Sequence, residues 1–197
     1  MEEATQRAFK LLGEEKIDVL VNNGGISTRS FADEMRWSLD RDVMTVNYLG
    51  PVALTKAVLP AMMARRAGQI VVISSVQGLI ALPARTAYSA SKHALHGFFD
   101  GLRAEVSSRG IGVTVICPGY VKTSLSINAI NAQGEKMGEL DENAKKGMTT
   151  EAFVETIIAK DFDAHVAPFL RVLTPNILEF FMRKRAAKQL KISDKKA

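Results

Sequence analysis

The chain has 197 residues, of which 47% are hydrophobic and 24% charged, a composition that suits one globular domain with a sizeable core. A single cysteine, Cys117, excludes an internal disulfide, and three histidines offer no zinc-ligand spacing, so no metal site is predicted. The net charge of +5 is concentrated near one end: residues 171–197 carry +6 and the rest of the chain −1. Because the core is not basic, nucleic acid is not expected as a partner.

Sequence patterns give helices that alternate with short apolar strands. A helix is predicted at residues 2–13, followed by a strand at 17–21 that is buried on both faces. The next helix, 40–63, contains Pro51, which should cost a hydrogen bond and bend the helix. The later elements are a strand at 69–74, a helix at 86–110, a strand at 113–117 and a helix at 151–159. This alternation implies a parallel sheet with right-handed crossovers.

Three segments have less definite patterns. Residues 127–150 are polar and contain glycine, which suits a mobile lid and, equally, an ordinary surface loop. Residues 160–165 are short and charged, so a final strand there is in doubt. The tail 171–197 is interpreted as a solvated, partly disordered end or as a contact surface for an anionic membrane. No apolar run is long enough to span a bilayer, and Glu2 and Glu3 argue against a signal peptide.

Tyr88 and Lys92 lie four residues apart in a predicted helix, so their side chains share one face. A phenol has an unperturbed pKa of about 10 and exchanges protons poorly at neutral pH, but a neighbouring ammonium lowers that pKa. Surface helices carry such pairs by chance, so the spacing alone is a weak signal. It is strengthened by Ser75 at the end of a strand and by Asn47 in the preceding helix.

Five motifs in this order resemble the short-chain dehydrogenase/reductase family, over nearly the whole chain. They are Asn22-Asn23-Gly24-Gly25, Val46-Asn47-Tyr48, Ile73-Ser74-Ser75, Tyr88 to Lys92, and Pro118-Gly119-Tyr120-Val121-Lys122-Thr123. The resemblance implies an α/β fold, a Rossmann-like parallel sheet with flanking helices, as one partial domain over residues 1–197. Family members open with a strand, a glycine-rich turn and a helix that bind pyrophosphate. Because the only early glycine is Gly13, we expect the chain to be N-terminally truncated, without the first strand-helix units.

The resemblance implies a catalytic set of Asn47, Ser75, Tyr88 and Lys92. Tyr88 is then the general acid/base, and Lys92 lowers its pKa and holds the nicotinamide ribose. Ser75 positions the substrate oxygen, and Asn47 holds a water in a proton relay from Lys92 to solvent. His93 and His96 lie outside the family's catalytic pattern and are interpreted as structural.

Each catalytic candidate also has a purely structural interpretation. Tyr88 is then a helix tyrosine with a satisfied hydroxyl group, and Lys92 an ordinary surface lysine. Ser75 is a strand-end or capping serine, although the adjacent Ser74 is the better candidate for capping. Asn47 bonds to the helix backbone and breaks the helix locally.

The resemblance also implies a cofactor-binding set: Asn23, Gly24, Tyr88, Lys92, Pro118, Gly119, Val121 and Thr123. Asn23 and Gly24 are expected to stabilise the central sheet and to approach the adenosine side of the cofactor. The residues after the strand 113–117 are expected against the nicotinamide, with Thr123 at its carboxamide. The family usually has alanine at the position of Gly25, and glycine there should add flexibility without abolishing binding.

The expected activity is an NAD(P)-dependent oxidoreductase that interconverts an alcohol and a carbonyl on a lipophilic substrate, such as a lipid ketone, steroid or retinoid. The resemblance favours NADP(H) over NAD(H). It also implies a homodimer or homotetramer through the helices of Asn47 and Tyr88. Full-length relatives are expected at the endoplasmic reticulum or peroxisomal membrane, and this chain in the cytoplasm or peripherally on a membrane. The alternative is a catalytically inactive truncated form that acts only as a dimerisation or membrane-associated module.

Overall fold

The computed structural model describes residues 17–159, with the backbone alone for residues 157–159. The predicted helix 2–13, the doubtful strand 160–165 and the tail 171–197 lie outside the described residues. The described elements in chain order are β1 (Val19–Asn22), α1 (Trp37–Met44), a π-helical turn (Thr45–Leu49), α2 (Gly50–Arg65), β2 (Gly68–Ile73), a short 3₁₀ turn (Val76–Gly78), α3 (Thr86–Val106), a second 3₁₀ turn (Ser107–Arg109), β3 (Ile111–Ile116), α4 (Glu142–Lys145) and α5 (Thr150–Ala159).

The three strands form one parallel sheet in the order β1-β2-β3. In its register, Val21 pairs with Val71 and Ile70 pairs with Val113. The α1–α2 pair connects the first two strands and α3 connects the second and third. Each strand lies beside the next one in the sequence. Right-handed crossovers between such strands place all the connecting helices on the same face of the sheet. The predicted α/β fold, with a parallel sheet and flanking helices, is confirmed.

The core lies between this face of the sheet and the helices α2 and α3. On α3, the buried apolar residues recur at helical spacing and form one stripe: Leu95, Phe99, Leu102 and Val106. They pack against alternate residues of the strands, which share one face because the side chains of a strand alternate. The other members of the cluster are Val58, Met62, Ile70, Val72, Ile111 and Val113.

The opposite face of the sheet is open at β1. Val19 and Val21 are 53% and 54% exposed, and Gln69 and Thr114, which lie in the same pleat rows, are exposed as well. Continuous apolar runs are typical of parallel strands that are covered on both faces. The prediction that the strand at 17–21 is buried on both faces is therefore wrong for the described residues, because their helices cover only one side of it.

The helix predicted at 40–63 is present, but a widened turn divides it. The N–H of Gly50 donates to the carbonyl of Thr45, five residues back, instead of the α-helical four. Pro51 follows in the first turn of α2, where a missing N–H costs little. The prediction that Pro51 bends the helix is therefore wrong in its position. The helix is disturbed one turn earlier, around Asn47.

The other predicted elements are found within a few residues of their expected bounds. The helix predicted to end at Gly110 does so, with its last residues in a 3₁₀ turn and Gly110 at a left-handed φ of 71°. The polar segment 127–150 contains the short α4 and is joined to its neighbours by backbone pairing of Thr28 with Ile130 and of Val121 with Met148. No helix of the described part is both long and apolar enough to cross a membrane.

Candidate active site

A cavity lies at the carboxyl ends of β2 and β3, beside the first turn of α3, where ligands bind in open parallel sheets. Its lining comprises Ser27, Arg29, Ser75, Val76, Gln77, Leu82, Arg85, Tyr88, Gly119, Tyr120, Val121, Thr123, Leu125, Ser126 and Ala144. The cavity thus brings together five residues that the sequence singles out: Ser75, Tyr88, Gly119, Val121 and Thr123. Pro118 lies beside it and accepts a hydrogen bond at 3.0 Å from the N–H of Val76 through its carbonyl.

Tyr88 lies at the centre of this constellation and is only 5% exposed. Burial raises the pKa of Tyr88, because it disfavours the phenolate. A side-chain hydrogen bond with Ser75 and the positive charges of Arg85 and Arg29 act in the opposite direction and offset part of this increase. Tyr88 and Ser75, which the resemblance assigns to proton transfer and substrate positioning, thus both line the cavity.

Of the two neighbouring serines, Ser75 and not Ser74 makes the capping hydrogen bond. Ser75 caps the 3₁₀ turn, because its hydroxyl accepts a hydrogen bond at 3.1 Å from the N–H of Gln77. The Ser74 hydroxyl lies 2.9 Å from His96 Nε2 instead, and Cys117 Sγ lies 3.5 Å from the same nitrogen. The expectation that Ser74 does the capping is wrong, because Ser75 makes the capping bond while it lines the cavity with Tyr88.

Lys92 lies behind Tyr88 and is 4% exposed, so it is not a surface lysine. Its Nζ donates to the carbonyl of Ile73 at 2.8 Å and lies 5.7 Å from the centroid of the Tyr88 ring. Burial lowers the pKa of Lys92 to about 8. The expected lowering of the Tyr88 pKa by Lys92 is not seen: that pKa is raised, and the positive charges that oppose the increase belong to Arg85 and Arg29.

Asn47 lies in the π-helical turn and is completely buried. Its Oδ1 accepts a hydrogen bond from the N–H of Ile26 at 2.8 Å, and its Nδ2 donates to the carbonyl of Ile26 at 2.9 Å and to Ser91 Oγ at 3.0 Å. The side chain therefore bonds to the loop after β1 and to α3. The structural interpretation, in which Asn47 bonds to the backbone of its own helix, is wrong. The widened turn aims Asn47 at both partners.

At the end of β1, Asn22 and not the expected Asn23 makes the side-chain contact that supports the sheet. Asn22 is buried and its Nδ2 donates to Thr55 Oγ1 on α2 at 3.0 Å. Asn23 and Gly24 are exposed, and a Cβ at Gly24 would meet nothing within 4 Å. Asn23 and Gly24 were expected to stabilise the sheet, but in the described part it is Asn22 that joins the sheet to α2. An approach to a cofactor across open space remains a prediction.

The sequence analysis missed a charged cluster beside Tyr88, whose two arginines, Arg29 and Arg85, line the cavity. Arg85 Nη2 lies 2.7 Å from Asp141 Oδ2, and Arg29 Nη2 lies 3.7 Å from the same oxygen. Burial raises the pKa of Asp141, but hydrogen bonds from Asn143 and the charges of the two arginines outweigh it, so the pKa is lowered overall. The only local signal is the position of Arg85, three residues before Tyr88.

The described residues leave open space for a ligand at two glycines but contain no glycine-rich turn for a pyrophosphate. Gly119 and Gly24 border open space at the carboxyl ends of β3 and β1, since a Cβ at either would meet nothing within 4 Å. Within residues 17–159, no glycine-rich turn leads from a strand into a helix N-terminus, the usual pyrophosphate site. The same part of the chain contains no group of three ligating side chains that could hold a metal ion.

Comparison with protein families gives a match to the short chain dehydrogenase model over residues 1–134. Dehydrogenase/reductase SDR family member 7B of Xenopus tropicalis is 47% identical over 190 residues, covering 91% of this chain and 62% of the frog protein. A family protein 7-like of Drosophila melanogaster is 45% identical, covering 92% of this chain and 59% of the fly protein. The chain therefore spans about 60% of the length of these curated relatives.

Solved structures resemble the described fold as well. A putative NAD(P) dependent gluconate 5-dehydrogenase from Beutenbergia cavernae with bound NADP matches with a TM-score of 0.61 and 38% identity, covering 64% of this chain and 51% of that chain. A 4-hydroxyisoleucine dehydrogenase complexed with NADH and succinate matches with a TM-score of 0.57 and 33% identity, covering 61% of this chain and 57% of that chain.

Proposed function

Because the chain belongs to the short-chain dehydrogenase/reductase family, we propose that it carries the catalytic residues of an NAD(P)-dependent oxidoreductase that interconverts an alcohol and a carbonyl. The observation that supports this proposal most directly is Tyr88. Its phenol is buried and lines, together with Ser75, a cavity at the carboxyl ends of two parallel strands. A bound nicotinamide would supply or accept the hydride.

In this proposal, Tyr88 transfers a proton to or from the substrate oxygen, and Ser75 holds that oxygen by a hydrogen bond. In the reducing direction a neutral phenol is the required form, and burial favours it because it raises the pKa of Tyr88. Ser75 is well placed to orient the substrate, because its capping bond to Gln77 fixes the hydroxyl at the cavity wall.

Lys92 and Asn47 act behind Tyr88 in this proposal. The ammonium of Lys92 has donors beyond its bond to Ile73, and these suit the ribose hydroxyls of a nicotinamide nucleotide. Asn47 keeps the loop after β1 against α3, and a Cβ at Gly25 in that loop would lie 3.7 Å from Lys92 Nζ. Pro118, Gly119, Val121 and Thr123 are proposed to face the nicotinamide, and Asn23 and Gly24 the adenosine side. We propose NADP(H) as the preferred cofactor, since the resemblance to the family's reductases favours it.

The proposed substrate is lipophilic, because Val76, Leu82, Val121 and Leu125 form an apolar part of the cavity wall. The proposed assembly is a homodimer or homotetramer that uses the helices of Asn47 and Tyr88. Val46, Leu49 and Leu54 support it, since these apolar side chains of the divided helix are each more than 40% exposed.

A membrane contact is proposed for the tail 171–197, which lies outside the described residues and carries a charge of +6. The positive charges follow an apolar stretch at 177–182, the pattern of a segment that rests on an anionic surface. Sedimentation with anionic vesicles that falls as salt rises is the expected result. Equal sedimentation with neutral vesicles would contradict an electrostatic contact.

The alternative function, a non-catalytic dimerisation or membrane-associated module, is favoured by one observation: the described residues contain no glycine-rich pyrophosphate turn. Calorimetric titration with NADPH and NADH distinguishes the two functions. The catalytic proposal expects one of these nucleotides to bind when the chain is fused to the part of the frog relative that the match does not cover. The alternative expects none in either form.

The test of the catalytic proposal is Tyr88→Phe, assayed in that fusion with NADPH and a panel of ketones. Loss of the hydroxyl should lower turnover by about 10²- to 10⁴-fold with little change in thermal stability, because the ring packing stays. The matched control is Tyr48→Phe, whose ring keeps its edge contact with Phe98 and lies away from the cavity. If Tyr88→Phe and Tyr48→Phe turn over equally well, Tyr88 is not the acid/base.

A further inference from the structure

Two arginines line the cavity beside Tyr88 and pair with one carboxylate, and the three residues come from separate parts of the chain. Arg85 directly precedes α3 and lies one turn before Tyr88, which puts the two side chains on the same side of the helix start. Arg29 lies in the loop after β1, and Asp141 directly precedes α4. Both guanidinium groups approach the same oxygen of Asp141, so two positive charges share one negative charge.

The arginines are held in place but not fully paired. Arg85 is 5% exposed, the Tyr120 ring lies 5.8 Å from its guanidinium carbon, and its Nε–H is buried with no hydrogen-bond partner in the described part of the chain. A buried donor without an acceptor costs about 1–3 kcal/mol, so such groups commonly mark a missing ligand.

Arg29 is also paired incompletely. Its Nη1 donates to Ser27 Oγ and to the carbonyl of Thr28, both at 2.8 Å, which fixes the direction of the side chain. Its Nη2 faces Asp141 at 3.7 Å, too far for a hydrogen bond. Burial and the charge of Arg85 lower the pKa of Arg29 to about 10, which is still above neutral pH, so Arg29 keeps its positive charge there.

We propose that Arg29 and Arg85 form an oxyanion subsite of the substrate pocket, which binds a carboxylate or phosphate group of the substrate close to the reacting carbonyl. The inference rests on the proposed function, because Tyr88 marks where the carbonyl lies. Guanidinium groups bind both oxyanions through paired N–H donors, and burial strengthens such bonds. Together with the apolar wall at Leu82, Val121 and Leu125, the subsite makes the substrate amphipathic.

Asp141 acts in this proposal as an internal counter-ion that the substrate's oxyanion joins or displaces. It shares Oδ2 with both arginines, and its Oδ1 accepts the N–H of Asn143 at 2.9 Å. Removing its charge while keeping its shape should strengthen anion binding, because the substrate then no longer competes with a resident carboxylate. A purely structural cluster predicts no such gain.

The test is an NMR titration of the ¹⁵N-labelled 197-residue chain, which follows the Nε–H signals of its arginines. The probes are inorganic phosphate, levulinate, which carries both a ketone and a carboxylate, and methyl levulinate, its neutral ester. Phosphate and levulinate should shift the Arg85 Nε–H signal to saturation, and the ester should not. Tighter binding of phosphate than of levulinate would identify a phosphate-bearing substrate, and the reverse order a carboxylate.

Variants assign the effect to the cluster. Arg85→Gln should remove the responding signal, and both Arg85→Gln and Arg29→Gln should weaken anion binding by about 10- to 100-fold, the usual loss for a charged hydrogen bond. Asp141→Asn should tighten it. The control Arg41→Gln, at a residue of α1 with a 68% exposed side chain, should leave it unchanged.

An equal response to methyl levulinate, or anion binding that survives both arginine substitutions, would overturn the inference. The titration contains no cofactor, so its failure leaves proton transfer by Tyr88 standing. A failure of the Tyr88→Phe test would in turn leave the anion subsite in place as a binding site.

Discussion

The electrostatic environment of Tyr88 is set by arginines and not by the lysine one turn away. Lys92 has the spacing that a local pattern predicts, but its ammonium is turned to the carbonyl of Ile73, and the charges that stabilise the phenolate come from Arg85 and Arg29. Spacing along one helix is local information, so the shared helix face of Tyr88 and Lys92 could be predicted, whereas Ser75 was expected from the family resemblance. The ion pair between Arg85 and Asp141 joins residues 56 positions apart, and no helical or strand period indicates it.

A first prediction concerns the buried charge of Lys92. Its pKa falls from 10.5 to about 8 on folding, so the unfolded chain holds more protons between these pH values and stability rises with pH across that window. Below pH 8 the full penalty applies, as much as about 3 kcal/mol at 1.36 kcal/mol per pKa unit. Lys92→Met should therefore stabilise the protein at pH 7, by an amount that shrinks between pH 8 and pH 10.5.

Denaturant unfolding of wild type and variant at pH 7 and pH 10 measures this difference. The matched control is Lys56→Met, at an exposed position of α2, which should show no comparable pH dependence. If Lys92→Met is less stable than wild type at pH 7, the bond to Ile73 outweighs the cost of burying the ammonium.

At the scale of elements, the existence and order of helices and strands followed from the sequence, and the turns between them did not. The apolar stripe of α3 and the short apolar strands give strong periodic signals. The π-helical turn at Thr45–Leu49 has no such signal, because its residues are ordinary helix residues and the extra width serves the bonds of Asn47 to Ile26 and Ser91. Pro51 correctly indicated that this helix is irregular, but the irregular turn lies before the proline.

A second prediction concerns how α2 and α3 end beside each other. Gly110 terminates α3 with φ of 71°, and a Cβ there would lie 2.2 Å from the carbonyl oxygen of Arg66, the residue that ends α2. Gly110→Ala should therefore destabilise the protein by about 2 kcal/mol or more, because backbone strain and a backbone clash add.

Thermal unfolding checks this result against a second glycine of the same helix. Gly101 lies inside α3, where a Cβ would meet nothing within 4 Å, so Gly101→Ala should stabilise the protein by up to about 1 kcal/mol. Equal effects at the two positions would show that the helix end is not constrained as the structure describes.

On the scale of the whole molecule, the described sheet is covered by helices on one face and open on the other. The parallel sheet and its order could be anticipated from alternating elements, since the handedness of crossovers leaves few choices. The open face could not, because an apolar strand predicts burial without saying what supplies it. Val19 and Val21, on the edge strand β1, are where this difference shows most clearly.

A third prediction follows for the isolated 197-residue chain. Within residues 17–159, β1 is an edge strand with exposed apolar side chains, and such a strand can pair with another copy, so we expect concentration-dependent self-association. Sedimentation velocity should show species larger than the proposed helix-mediated dimer or tetramer, and the double substitution V19K V21K should remove these larger species. The control V154K removes an exposed valine of α5, 51% exposed, and should leave them unchanged. Larger species that persist in V19K V21K would place this contact elsewhere.

The π-helical turn accommodates one residue more than an α-helical turn would, so the length of the divided helix and the position of Asn47 are linked. One residue fewer in this turn would allow a continuous α-helix in which the buried faces at Val43 and Val58 keep their orientation. Asn47 would then lose the backbone geometry from which it bonds to Ile26 and Ser91. A deletion of Val46 should therefore spare the core and release the loop after β1 from α3.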